Sequence, residues 1–365
     1  SPVKYFIPRI GYSNENEKQT AVLNNIRKFI PPSTANYLKH SFPSRIYLRL
    51  KLKHQPFGFN CELTTKCNIR CDFCTRTGFT NKNNKDKNFN VTDMKDETVD
   101  RVLVELEKFH KAKIPVYFLP MGLGEPLVYE NLFKIYERIK RISQKIPITM
   151  TTNGIDLTEK YCNNILSTGV DEVSISLNSK NASEYKQHMG LDKYEQINEN
   201  IRNLIRARNN KKKSSLRVYV QYIDYENNPD SFKEEARQWS KIMRGQDKCY
   251  VHPIVNMGGY YKNSTILIKS QEHYPCYYPL KMIAIRVNGD LYPCCPAFYA
   301  GGERIESLSM GNISSKSPFE MFKDKNGRAA EIISCMRKND YSNLSTCDKC
   351  NTYRLSPNIS FKLPL

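Results

Sequence analysis

"CNIRCDFC", residues 67–74, sets three cysteines close together and then stops. A closed structural zinc site takes four ligands, usually as two Cys-x-x-Cys pairs, and iron–sulfur cubes normally take four thiolates. The spacing Cys-x-x-x-Cys-x-x-Cys, through Cys67, Cys71 and Cys74, leaves one coordination position without a local owner. Either a distant residue fills that position, or it stays open for a ligand that does chemistry.

The trio directly follows an apolar stretch, 59–63 (FNCEL), that opens a regular alternation. Further short strands are expected at 116–119, 147–152, 172–177, 216–223 and 249–255, with amphipathic helical stretches between them. In the stretch 94–112, Val99, Val102, Leu103, Leu106 and Phe109 make one face, and Thr92 or Asp93 is placed to cap it. Six β/α units in series predict an α/β fold: a partial (β/α)6, TIM-like barrel of parallel strands, with function at their C-terminal ends. After about residue 260 the alternation ends. Residues 282–293, "MIAIRVNGDLYP", read as a hairpin with Asn288-Gly289 in the turn. The expected organisation is an N-terminal extension (1–55), a core (56–262) and a small hairpin-containing, cluster-binding domain (263–365). Residues 81–90, "NKNNKDKNFN", are a polar loop that cannot build a core.

The segment 67–74 resembles the Cys-x-x-x-Cys-x-aromatic-Cys signature of radical S-adenosylmethionine (SAM) enzymes, with Phe73 at the aromatic position. The resemblance implies a [4Fe–4S] cluster on Cys67, Cys71 and Cys74 whose fourth iron is chelated by the amino and carboxylate groups of SAM. The missing ligand is then the cofactor. It also implies that Phe73 packs near the adenine. "GLGEPL" resembles the Gly-Gly-Glu motif of that family through Gly124 and Glu125, with Leu123 replacing one glycine. Glycine there lets the backbone approach the methionine moiety, and a carboxylate can accept from its ammonium. "TTNG" places Thr151, Thr152 and Asn153 at the mouth. Ser176 resembles the ribose- or carboxylate-contacting serine, and Gln221 stands at an adenosine-contacting level. One departure stands out: "EYKQHMG" lacks the Arg that pairs with the SAM carboxylate in relatives, leaving Lys186 or His188 as substitutes.

Beyond residue 270 a second set of cysteines appears: Cys276, Cys294 and the "CDKC" pair Cys347 and Cys350. A Cys-x-x-Cys alone fits half a zinc knuckle, whereas four thiolates suit a closed cubane. The arrangement resembles the twitch subdomain, a shortened relative of the SPASM domain. That implies one auxiliary [4Fe–4S] cluster on Cys276, Cys294, Cys347 and Cys350, with Cys295 the neighbour that could exchange with Cys294. Among the other cysteines, buried small hydrophobes are the ordinary expectation. Cys249 is the exception to test, since an inward-facing thiol on strand six could donate a hydrogen atom to a substrate radical. Tyr250 and His252 share its strand, as cavity lining or as core.

Twelve cysteines with neither an apolar run of about 18 residues nor a signal-like N-terminus lead to a cytoplasmic expectation, and to metal or redox use of the thiols rather than disulfides. The formal net charge is +19, and between Lys18 and Cys61 eight Lys or Arg stand without one acidic residue. There "RIYLRLKLK" alternates Ile46, Leu48, Leu50 and Leu52 with Arg45, Arg49, Lys51 and Lys53. It reads either as a lysine-protected edge strand or as a landing surface for an anionic partner. The resemblance implies a radical SAM enzyme, here an oxidoreductase, supplied with electrons by a flavodoxin- or ferredoxin-type donor. An epimerase using a Cys hydrogen donor and a ribosomal-peptide-modifying enzyme are the alternatives. A sugar- or aminocyclitol-like alcohol is the first substrate expectation and a peptide the second, and the basic stretch favours an anionic one. Nucleic acid is less favoured, membrane insertion is not expected, and a non-catalytic iron–sulfur binder is the remote alternative.

Overall fold

The computed structural model describes residues 56–80, 89–211, 214–226, 228–260, 276, 278–300, 304–338 and 340–351. The basic alternating stretch 45–53 and the rest of the extension 1–55 lie outside these residues, as does most of the polar loop 81–90.

Six parallel strands carry the core: β1 (Phe57–Cys61), β2 (Val116–Pro120), β3 (Thr149–Thr152), β4 (Glu172–Ser176), β5 (Arg217–Asp224) and β6 (Lys248–Pro253). Helices α1 (Thr75–Thr80), α2 (Asp96–Lys111), α3 (Leu132–Ile142), α4 (Glu159–Ser167), α5 (Ala182–Met189), α6 (Tyr194–Asn210) and α7 (Lys233–Ser240) run between them. The apolar face expected of the second helix is the buried face of α2. Its Phe109 stacks on Phe57 at 5.1 Å and meets Phe59 edge-on at 5.3 Å. Burying each such side chain contributes roughly 1.5–3 kcal/mol. The expected cap is different. Lys95 precedes α2 without a side-chain cap, because the Asp93 carboxylate accepts from the Thr64 hydroxyl at 2.6 Å and pairs with Lys66 at 2.7 Å.

Strands β3, β4, β5 and β6 form one sheet in that order. A parallel bridge between Phe118 and Ile148 connects it to β2, whose other neighbour is β1. The expected hairpin forms from β7 (Met282–Ile285) and β8 (Leu291–Tyr292), with Gly289 at φ +86° in its turn. It joins the sheet of the core. β7 pairs in parallel with β1, so the second sheet runs β2-β1-β7-β8 and the late hairpin covers what would be a bare strand edge. Among the described residues no pairing joins β6 to β8, and the barrel is open. Helices α8 (Tyr278–Lys281), α9 (Pro318–Lys323), α10 (Arg328–Arg337) and α11 (Ser345–Lys349) complete the C-terminal part. None of the described helices is long and apolar enough to cross a membrane.

Alternation along the strands separates two faces. Val173, Ile175, Val218, Val220 and Val251 pack in the core beneath the helices. Ser174, Ser176, Gln221 and Tyr250 face inward and are bonded to one another. At the bottom of α6, Arg208 forms a fully buried bidentate pair with Asp247, at 2.8 and 2.6 Å. Asp247 also accepts from the backbone N–H groups of Val218 and Arg244. Asp247→Ala strands a buried guanidinium and two amides, and is expected to cost about 3–5 kcal/mol, measured by denaturant unfolding. A loss under 1 kcal/mol would show that the pair is solvated in solution.

Candidate active site

The loop after β1 holds Cys67, Cys71 and Cys74, all partly buried. It is pinned from several sides. The Lys66 carbonyl accepts from the Glu125 N–H at 2.8 Å, Arg76 Nε donates to the Thr65 carbonyl at 2.7 Å, and the Thr77 hydroxyl donates to the Cys71 carbonyl at 2.7 Å. Burial pushes the Cys67 thiol up to about 12, with the nearby Glu125 carboxylate adding to it. Burial also holds Cys71 well above its ordinary value, with Cys74 and Cys67 contributing. Such thiols keep their protons until a metal displaces them. Among the described residues no three His, Cys, Asp or Glu side chains form a single-ion site. Three soft thiols with no imidazole or carboxylate among them fit an iron–sulfur cube.

The ends of β2 and β3 close on this loop. A Cβ on Gly124 would collide with the Thr64 carbonyl oxygen, so a glycine is demanded here by backbone packing on the cluster loop. Glu125 is buried and committed to the protein. Its carboxylate accepts from the Thr152 hydroxyl at 2.7 Å, the Asn153 N–H at 2.8 Å and the Leu127 N–H at 3.1 Å. Burial raises it to about 7 against the pull of those donors. The expected role as acceptor for a SAM ammonium therefore competes with three internal donors. Asn153 Nδ2 donates to Asn68 Oδ1 at 2.7 Å and approaches Cys67 Sγ at 4.0 Å, which puts the end of β3 against the first cysteine. Thr151 faces inward beside Ser174.

Ser176 and Gln221 are adjacent and bonded, with Gln221 Nε2 donating to the serine hydroxyl. Gln221 Oε1 accepts from the Tyr250 hydroxyl at 2.7 Å, and that hydroxyl also meets Ser174 Oγ at 2.7 Å. A polar wall thus crosses β4, β5 and β6. Ser174 was not legible as part of it without the strand register. Phe73 lies half-buried with its ring 6.1 Å from Tyr225, a residue that sequence reasoning missed.

Cys249 does not face the interior. It pairs with Val220 while its neighbour Tyr250 pairs with Gln221, so the pleat turns Cys249 outward against the helix layer. There Glu235 of α7 lies near enough to raise it further after burial. This corrects its candidacy as an interior hydrogen-atom donor.

In the C-terminal part, Cys276, Cys294, Cys347 and Cys350 line one apolar cavity together with Tyr278, Pro279 and Met336. Cys295 is not among its lining residues. Burial pushes Cys276 up to about 12 and holds Cys294 well above its usual range. Four thiols lining one apolar cavity fit a four-thiolate cube with no coordination site left for substrate.

These two thiol sites on an open parallel barrel define a class, the radical SAM enzyme with a second iron–sulfur domain. Family models bear this out. That of the radical SAM superfamily matches residues 61–237, and that of the SPASM iron–sulfur cluster-binding domain matches residues 276–351. The chain carries a radical SAM domain followed by a SPASM-type domain, and SAM and [4Fe–4S] clusters are its cofactors. A probable GTP 3',8-cyclase of Methanococcus vannielii is 33% identical over 135 residues, 37% of this chain and 41% of the relative. A GTP 3',8-cyclase of Clostridium perfringens is 31% identical over 126 residues, 34% of this chain and 36% of the relative. The aligned portion thus spans about two-fifths of the length of the former. Among solved structures, BtrN in complex with AdoMet and 2-DOIA superposes with a TM-score of 0.53 at 16% identity, covering 82% of this chain and 94% of that one. Native anSMEcpe with bound AdoMet gives a TM-score of 0.51 at 13% identity, covering 83% and 93%.

Proposed function

We propose that the protein is a radical SAM oxidoreductase that removes two electrons and two protons from a polar substrate. The observation that carries this reading is the set of four thiols, Cys276, Cys294, Cys347 and Cys350, lining one apolar cavity. When bound, the two clusters and SAM supply a 5′-deoxyadenosyl radical at the first site and an electron acceptor at the second. Cys67, Cys71 and Cys74 hold the first cluster, Cys276, Cys294, Cys347 and Cys350 the second. Glu125 ties the ends of β2 and β3 to the cluster loop, and Asn153 orients that loop through Asn68. The buried interior keeps water from a reactive carbon.

The first choice of substrate is a sugar- or aminocyclitol-like alcohol. The interior wall supports it, with hydroxyls and amides of Ser174, Ser176, Gln221 and Tyr250 rather than an apolar sleeve. Asn60 adds to this, being wholly buried on the inner face of β1 with neither amide atom partnered among the described residues. A substrate hydroxyl would relieve the cost of such an orphaned group. The basic segment 18–61 supports a negative charge on the substrate. The reading includes a flavodoxin- or ferredoxin-type donor and a cytoplasmic setting, where free cysteines stay reduced.

A cyclase is the second reading, supported by identity to the GTP 3',8-cyclases over about a third of the chain. Product mass separates them. Turnover in heavy water should give a product lighter by two hydrogens, without solvent deuterium on carbon. A GTP-derived product of unchanged mass would establish the cyclase instead. A product that gains one deuterium at carbon would mean the substrate radical is quenched by a hydrogen atom, and would overturn the oxidoreductase.

A further inference from the structure

The cluster loop is held by one more group, which neither the metal ligands nor the β2 and β3 ends explain. His188, in the last turn of α5, grips Asp72 twice. Its backbone carbonyl accepts from the Asp72 N–H at 2.8 Å, and its Nδ1 stands 2.8 Å from Asp72 Oδ2. Asp72 sits between two of the loop cysteines. With the carboxylate as acceptor, Nδ1 carries the proton of this bond. The other side of the ring is equally fixed. The imidazole lies flat on Tyr225, just past the end of β5, with centroids 3.7 Å apart and planes within 9°. Tyr225 in turn is the aromatic neighbour of Phe73. Gly190, in the left-handed conformation at φ +71°, ends α5 beside the Arg70 carbonyl, so the chain turns away directly after the grip.

Cluster loop, α5 and the end of β5 are therefore joined at one imidazole. The side chain is mostly covered, at 17% exposed, while Asp72 is 52% exposed. A histidine free to reach a ligand would need neither the stack nor the carboxylate. We propose that His188 is a positioning residue for SAM: through Asp72 and Tyr225 it fixes the loop that carries Cys71, Phe73 and Cys74, and so sets the affinity of the site without contacting the cofactor's carboxylate. The segment that lacks an arginine stabilises the site through the shape of the loop. This rests on the radical SAM assignment of the first site, and is independent of what becomes of the substrate radical.

The test uses the full chain, anaerobically reconstituted, with two readouts: SAM affinity by equilibrium dialysis, and deuterium exchange of the peptide spanning residues 67–75. His188→Ala is expected to take up iron as the parent does, to bind SAM about tenfold more weakly, as loss of a charge-assisted hydrogen bond and its stack implies, and to exchange the loop amides faster. His188→Phe keeps the stack but not the bond, and should lie between. Asp72→Asn, which keeps an acceptor but not its charge, should lie between the parent and His188→Ala. Should His188→Ala fail to take up iron, His188→Phe decides, with a weakened SAM site supporting the proposal and a normal one overturning it. SAM affinity within twofold of the parent in iron-loaded His188→Ala, or unchanged exchange of 67–75, overturns it as well.

Discussion

Replacing Cys67, Cys71 and Cys74 together by Ala should halve the iron of reconstituted protein, from about eight to about four per chain, and abolish formation of 5′-deoxyadenosine. The expectation follows from the separation of the two thiol sets. The first lies in the loop after β1, and the second lines a cavity built by the C-terminal part, with no cysteine common to both. Each site can lose its metal while the other keeps it. The remaining cluster should also be blind to SAM, since four thiols already surround its cavity. Iron analysis and spectra with and without SAM check both points. A parent protein with about four irons would remove the auxiliary cluster from the proposal. A triple variant that still forms 5′-deoxyadenosine would remove the first cluster from Cys67, Cys71 and Cys74.

Cys276→Ala or Cys347→Ala should separate SAM cleavage from product formation. Both thiols line the auxiliary cavity, whereas the residues that pin the SAM loop, Glu125, Asn153 and Arg76, belong to the core. Removing a ligand from a buried cluster site costs the metal and the folding energy coupled to it. Cleavage of SAM should persist while oxidised product falls to background. Cys249→Ala is the control, and should turn over like the parent because its thiol lies under α7 on the outer face. The measurement is 5′-deoxyadenosine against product in a single assay. Full product from Cys347→Ala would end the electron-acceptor role of the second site. Loss of turnover in Cys249→Ala with iron intact would contradict the outward register.

Much of this was legible in the chain alone because the signals were local. Strand alternation located β1 to β6 to within two residues or so, since buried parallel strands are short apolar runs and the helices between them carry a face at helical spacing. The trio Cys67, Cys71 and Cys74 was legible as a candidate cluster site because its three thiols fall within one loop. The auxiliary set was legible only through its resemblance to a known arrangement, since Cys276 and Cys347 lie far apart in sequence. What failed depended on direction or on competition. Asp93 looks like a helix cap, yet a carboxylate takes the strongest donors within reach, here Thr64 and Lys66. No local pattern says that Thr152, Asn153 and Leu127 donate to the Glu125 carboxylate from inside the protein.

The sequence by itself determined the periodicities, the cysteine spacing and hence the order and kind of the elements, because those depend on neighbours a few residues away. Tertiary structure alone decided register and partnership. A shift of one residue in β6 would have turned Cys249 inward and Tyr250 out, and only the pairing of Val220 with Cys249 fixes which occurs. Nor does any local pattern say that β7 comes back to pair with β1, or that His188 meets Asp72 and Tyr225. Those contacts join residues remote in sequence. Their formation depends on how the whole chain buries its apolar faces and satisfies the polar groups left inside.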